Sequence, residues 1–117
     1  MQEAMAQSAS FAEAMARFPG AVNIITTRAD GIPFGMVATA VCSLSAEPPS
    51  LIVCLNKSTS SHDPILKERL FGVNLVSCDH APLVRHFMAS KGEDRFDLGA
   101  WTTLVTGAPI LEDATVA

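Results

Sequence analysis

The residues with the most chemistry to offer sit in one loop. Lys57 is followed by four hydroxyls in a row, Ser58, Thr59, Ser60 and Ser61, and the run leads into an Asp63-Pro64 pair that opens a helix-like segment. Hydroxyls, loose N–H donors and a cation at a helix start suit an anion. The same residues also suit an ordinary polar loop whose Ser and Asp cap the next helix. Just upstream, "GMVATAVCSLS" is rich in small side chains. Gly35, Ala38, Thr39 and Ala40 would let a flat ring approach the backbone, whose N–H and C=O groups could pair with the ring's polar edge. Close packing of a strand against a helix or second sheet reads equally from these residues. Ring surface and anion loop adjoin along the chain, and that coincidence says more than either alone. A third stretch, "SKGEDRF", carries Lys91 and Arg95 beside Phe96. It serves either as a second contact to a phosphate or carboxylate or as a solvated loop. Phe87 either edges a ring or fills the core.

Other chemistries find little support. The chain has no GxGxxG, GxxxxGK[ST] or GxSxG motif. Its three cysteines, Cys42, Cys54 and Cys78, form no CxxC pair. Cys42 and Cys54 lie inside apolar runs, so buried free thiols in a reducing cytoplasm are expected. His80 and His86 stand two and eight residues beyond Cys78, a spacing that fits no zinc motif. A net charge of −4 speaks against a nucleic-acid binder. No run of about 18 apolar residues offers a transmembrane helix. The N-terminus lacks the basic start and apolar core of a signal peptide. With 49% apolar and 17% charged residues in 117, a single domain, residues 1–117, can bury a core.

The elements that must position these residues read as follows. Ser10 and Glu13 form a capping-box pattern before an apolar stripe of Phe11, Met15 and Phe18, and Pro19-Gly20 ends that helix. "AVNIITT" (21–27) is a strand and Asp30-Gly31 a turn. Residues 34–45 alternate as one long strand, with Phe34, Met36, Ala38, Ala40, Cys42 and Leu44 on one face. After the Pro48-Pro49 break, "SLIVCLN" (50–56) is a third strand. Asp63 caps a short helix with Pro64 at its first position. "FGVNLV" (71–76) is a fourth strand. Asp79 caps another helix, with Leu83, Val84, Phe87 and Met88 on its buried side. "ASKGEDRFDLG" is a charged loop, and "WTTLVTGAPILEDATVA" holds a strand, a turn and the start of another strand. Strict β-α-β alternation is missing, so the expectation is an antiparallel barrel or sandwich with peripheral helices.

The segments "FAEAMARFPGAVNIITT", "GMVATAVCSLSAEPPSLIVCLN", "FGVNLVS" and "DRFDLGAWTTLVTGAPILEDATVA", in this order, resemble the short-chain flavin reductases. These are the reductase components of two-component flavin monooxygenases, such as the 4-hydroxyphenylacetate 3-monooxygenase reductase and relatives in pyrimidine degradation. The resemblance covers residues 10–117. It implies an antiparallel Greek-key split β-barrel with helices at its edge, usually a homodimer. It also implies FMN or FAD bound non-covalently, NADH or NADPH as hydride donor, and a monooxygenase that receives the reduced flavin. Carried over by position, Ala38, Thr39, Ala40 and Val41 match the strand holding the isoalloxazine edge, and Ser43 the serine beyond it. Cys54, Leu55, Asn56 and Lys57 match the strand end along the ribityl chain. Ser60 matches the loop near the phosphate, and Phe87 and Arg95 match positions approaching the flavin. No catalytic side chain is implied. Two departures stand out. Val37 replaces a common threonine, and the family usually continues further, with a Gly-x-His segment linked to nicotinamide binding. The resemblance therefore implies a chain short of its C-terminal part, leaning on a partner subunit. A flavin-binding module without reductase activity, or a split-barrel reductase acting on another substrate such as a corrinoid, are the alternatives.

Overall fold

The central strand is the one with the densest run of β-branched residues. In the computed structural model, which describes residues 10–15, 17 and 20–117, β1 (Asn23–Ala29) lies between β2 (Ile32–Ala38) and β5 (Gly72–Leu75), antiparallel to both. Both faces of β1 are covered. Ile24 packs with Val76, Leu83, Phe87 and Leu111, while its neighbour Ile25 packs on the other face with Ala38 and Ile65. Each of these two isoleucines contributes about 1.5–3 kcal/mol through burial. The turn Asp30-Gly31 joins β1 to β2, with φ of 54° and 78°. Two positive φ values in a two-residue loop match the twist of the flanking strands, and Gly and Asp tolerate them.

Residues 34–45, expected as one strand, are two strands of two sheets. β2 ends at Ala38, and β3 (Val41–Ala46) pairs instead with β4 (Pro49–Val53). The corner is Thr39-Ala40, closed by a bond from Val41 N–H to the Thr39 carbonyl at 2.9 Å. No Gly or Pro marks it, and the two-residue alternation runs through it unbroken. Only the choice of pairing partners sets the corner. The third strand stops at Val53, three residues before the expected end. The β3–β4 ribbon is thinly covered: Leu44, Leu51 and Ile52 are exposed. So are Cys42, Cys54 and Cys78, which corrects the expectation of buried thiols. Cys42 and Cys54 lie on or beside this ribbon, where an apolar sequence does not mean a covered face.

Residues 10–15 form helix α1, with Phe11 and Met15 exposed; Phe18 and Pro19 of the expected stripe and stop lie outside the described residues. Helix α2 (His62–Glu68) starts one residue before Asp63, with Ser61 rather than Asp63 at its N-cap and no side-chain cap bond. It buries Ile65 against β1 and ends at Arg69, whose φ of 58° is left-handed. An exposed pair, Lys67 Nζ to Asp30 Oδ2 at 2.9 Å, ties α2 to the β1–β2 turn, and this bond raises the Lys67 pKa above its ordinary value. Before helix α3 (Ala81–Ala89), residues Cys78–His80 form a single 3-10 turn capped by Ser77, so Asp79 lies inside a turn and does not cap the helix. In α3, Leu83 and Phe87 are buried as expected, but Met88 is 73% exposed. The charged stretch that follows is a 3-10 helix, Gly92–Asp97. A short hairpin of β6 (Trp101–Thr103) and β7 (Pro109–Leu111) closes the order. The expected antiparallel, mostly β class with peripheral helices is thus observed, its strands grouped in three sheets among the described residues. None of the described helices is long and apolar enough to cross a membrane.

Candidate functional site

β2 is an edge strand, and its free edge is where the anion loop, α3 and the 3-10 helix converge. Gly35 turns its carbonyl oxygen away from β1 to accept a bond from Arg95 Nη1 at 2.6 Å. Antiparallel strands alternate inward-facing and outward-facing backbone groups, so Val37, two residues on, also turns its N–H and C=O outward. There the edge opens into a cavity of about 440 Å³, lined by Met36 and Val37 of β2, Ser58, Thr59 and Ser60 of the loop, Phe87 and Met88 of α3, and Arg95.

Each wall has a local cause. The loop is tightened by Asn56, whose Oδ1 accepts bonds from the Ser58 N–H and hydroxyl, both at 2.9 Å. Thr59 N–H bonds back to the Asn56 carbonyl at 3.1 Å. The Oγ1 of Thr59 and the Oγ of Ser61 are buried without a hydrogen-bond partner. An unpaired buried hydroxyl is costly, and Thr59 Oγ1 at the cavity wall is placed to bond a polar ligand group. Phe87, 1% exposed, both fills the core and forms a wall, so the two readings of this residue are compatible. Its ring meets Phe96 edge-on at 5.3 Å, and Phe96 meets Trp101 edge-on at 4.9 Å between centroids. Arg95 is the sole charged residue of the lining.

Of the residues singled out in the sequence, Ser60, Phe87 and Arg95 meet at this cavity. Ala38 is buried in a core cluster with Ile25 and Ile65, outside the lining. Thr39 and Ala40 follow Ala38 just beyond the end of β2, exposed at the corner. Val41 and Leu55 pack in the same cluster as Ala38. Ser43 is exposed on β3, opposite Leu51. Cys54 donates its N–H to the Ala40 carbonyl at 3.0 Å, which ties the start of the loop to the corner. Asn56 shapes the loop from behind, and Lys57 is exposed outside the cavity wall. Met36, Val37, Ser58, Thr59 and Met88 belong to the wall without having been chosen as binding residues. The hydroxyl run marked Thr59 in the sequence, but nothing there marked Met36 or Met88.

An edge strand, an aromatic wall, a hydroxyl loop and one arginine from the 3-10 helix meet at this cavity, an arrangement suited to a flat, anionic ligand. Comparison with known proteins gives the family. The chain matches the flavin reductase like domain over residues 15–117. It is 42% identical over 117 residues to the FMN reductase (NADH) RutF of Pantoea ananatis, covering 99% of this chain and 62% of that protein. A Haemophilus somnus protein assigned as a flavin reductase superposes with a TM-score of 0.86 at 37% identity, over 91% of this chain and 69% of the other. A homologue of nitrilotriacetate monooxygenase component B from Mycobacterium thermoresistibile superposes with a TM-score of 0.85 at 28% identity, over 96% and 62%. The chain belongs to the flavin reductase like domain family, and its fold is the split-barrel fold of these neighbours. It spans about three-fifths of the length of the curated relatives it matches.

Proposed function

We propose that this chain is the flavin-binding part of an NADH-dependent flavin reductase, folded as one domain. FMN is the preferred flavin, FAD and NADPH being the alternatives, and a monooxygenase component receives the reduced product. The single observation carrying this reading is the cavity at the free edge of β2. There, outward Val37 main-chain groups, the Phe87 wall, the unpaired Thr59 hydroxyl and Arg95 lie together. The residues present fit a flavin. The main chain at Val37, continuing to Thr39 and Ala40, pairs with the polar edge of the ring, and the Ser58–Ser60 loop takes the phosphate.

A flavin held by the main chain at Val37 and by the Ser58–Ser60 loop would supply the redox chemistry, taking hydride from a nicotinamide. The protein's task is to hold two flat rings at reacting distance, an entropic contribution that needs no general acid among the side chains. The relatives' names support NADH and FMN, and the component B neighbour supports a monooxygenase partner. A second copy of the chain covers the exposed β3–β4 ribbon in this reading. Three free cysteines fit a cytoplasmic protein.

Anaerobic mixing with NADH and with NADPH in the presence of FMN tests the reading. The visible flavin band should bleach, faster with NADH. A yellow protein that leaves NADH untouched would reduce the chain to a binding module, and a colourless one indifferent to FMN and FAD would overturn the proposal.

A further inference from the structure

Resting on that reading, we infer that Met88 is a modification site, a thioether placed to take an oxygen atom from the hydroperoxide that reduced flavin forms with dioxygen. Two sulfurs line the cavity, those of Met36 and Met88, and among the described residues no cysteine does. The two differ in cover. Met36, on β2, is half-buried and packs against the cluster of Ile25, Ala38 and Ile65. Met88, on α3, is 73% exposed, although its neighbour Phe87 is buried. A thioether is soft and polarisable, and its oxidation by peroxide follows its exposure. Met88 thus holds the bare sulfur of the wall.

Dioxygen takes two electrons from the reduced flavin, leaving a hydroperoxide. The sulfur lone pair of Met88 attacks the outer peroxide oxygen, an S–O bond forms, and the O–O bond breaks. The other oxygen leaves with the bonding pair, takes up a proton and ends as water. Sulfur loses two electrons and the peroxide gains two. NADH, one proton, dioxygen and the thioether together become NAD+, water and the sulfoxide. The sulfoxide is polar where the thioether was apolar, so it weakens the contact between α3 and a flat ring. Turnover in air thereby lowers the hold of the site on FMN, and methionine sulfoxide reductase reverses the change. Met15, 46% exposed on α1 and outside the lining, serves as the internal reference for oxidation from bulk solvent.

The test runs the full chain with NADH and FMN in air, with catalase present to destroy any peroxide that escapes the cavity. Peptide mass spectrometry follows Met88 and Met15. Met88 should be oxidised several-fold faster than Met15, whereas hydrogen peroxide added without NADH or catalase should oxidise the two at comparable rates. FMN affinity after turnover, read by flavin-fluorescence quenching, should be about 5-fold weaker, the worth of one lost apolar contact. Methionine sulfoxide reductase should restore it. Met88→Leu, taken through the same turnover, should keep its own starting affinity. Three results would each overturn the assignment while leaving the reductase reading intact. These are Met88 oxidised no faster than Met15 during turnover, a Met88-to-Met15 ratio equal to that with added peroxide, and an equal loss of FMN affinity in Met88→Leu. A chain that consumes no NADH in the presence of FMN would overturn the functional reading, and this inference with it.

Discussion

A Cβ placed on Gly35 would stand 2.9 Å from Cε2 of Phe87. The same atom would meet Cζ of Phe96 at 2.8 Å, so one absent methyl lets two rings seat on the edge strand. Those rings meet edge-on, and Trp101 packs edge-on to Phe96 and tilted at 46° to Phe87, so they cannot swing aside freely. Gly35→Ala should therefore cost about 1–3 kcal/mol, as overpacked cores do. A lower urea midpoint with unchanged slope would show it. Flavin affinity should fall as well, because Phe87 and Arg95 both take their positions from this residue. An alanine variant of wild-type stability would mean that the aromatic cluster is loose.

Asn74 is fully buried in a strand, where an asparagine needs a reason. Its Nδ2 donates to the Ile24 carbonyl at 2.9 Å, and its Oδ1 accepts from Leu111 N–H at 2.8 Å. One side chain thus joins β5 to β1 and β7. Asn74→Ala strands a buried carbonyl and a buried N–H, and should cost about 3 kcal/mol, read from denaturant unfolding. A cost below about 1 kcal/mol would mean that water replaces the amide there.

Thr59 predicts a crossing of signs. Its buried hydroxyl has no partner, so Thr59→Val, of nearly the same shape, should leave the ligand-free protein as stable or raise it by about 1 kcal/mol. FMN affinity should drop about 5-fold, the worth of one neutral hydrogen bond. Melting curves with and without FMN give both readings. A valine variant less stable than wild type without ligand would assign the hydroxyl to the fold instead.

Much of this was legible from particular residues. The β-branched run 21–27 gave the central strand, Asp30-Gly31 the tight turn, and the hydroxyl run the loop that forms one wall. The order of segments gave the family. What stayed hidden depends on pairing across distance. The corner at Thr39-Ala40 carries no breaker residue, so only the partners of β2 and β3 reveal it. That corner turns Thr39 and Ala40 out of β2, so the residues of that strand lining the cavity are Met36 and Val37. Met88 sits on the expected apolar side of α3 by helical spacing, yet it reaches past the core to the cavity rim. The cysteines were placed by the apolar character of their neighbours. That rule fails on a ribbon with no second layer over it.

The ribbon itself gives the last prediction. β3 and β4 form a two-stranded sheet that exposes 63% of Leu44, 45% of Leu51 and 40% of Ile52. A lone hairpin of this kind is marginal in water, and unpaired strand edges invite further pairing. If a second copy covers it, the protein should run at twice 12.4 kDa in sedimentation, and its melting temperature should rise with concentration. Leu51→Asp should weaken the association by about 2 kcal/mol, or about 30-fold in Kd, since a buried leucine is worth about that much. Because the Ser58–Ser60 loop lies a few residues beyond β4, the same change should also loosen FMN if that loop holds it. A monomer at micromolar concentration that melts sharply and reversibly would show that the ribbon stands on its own, and the proposed dimer would then have to be abandoned.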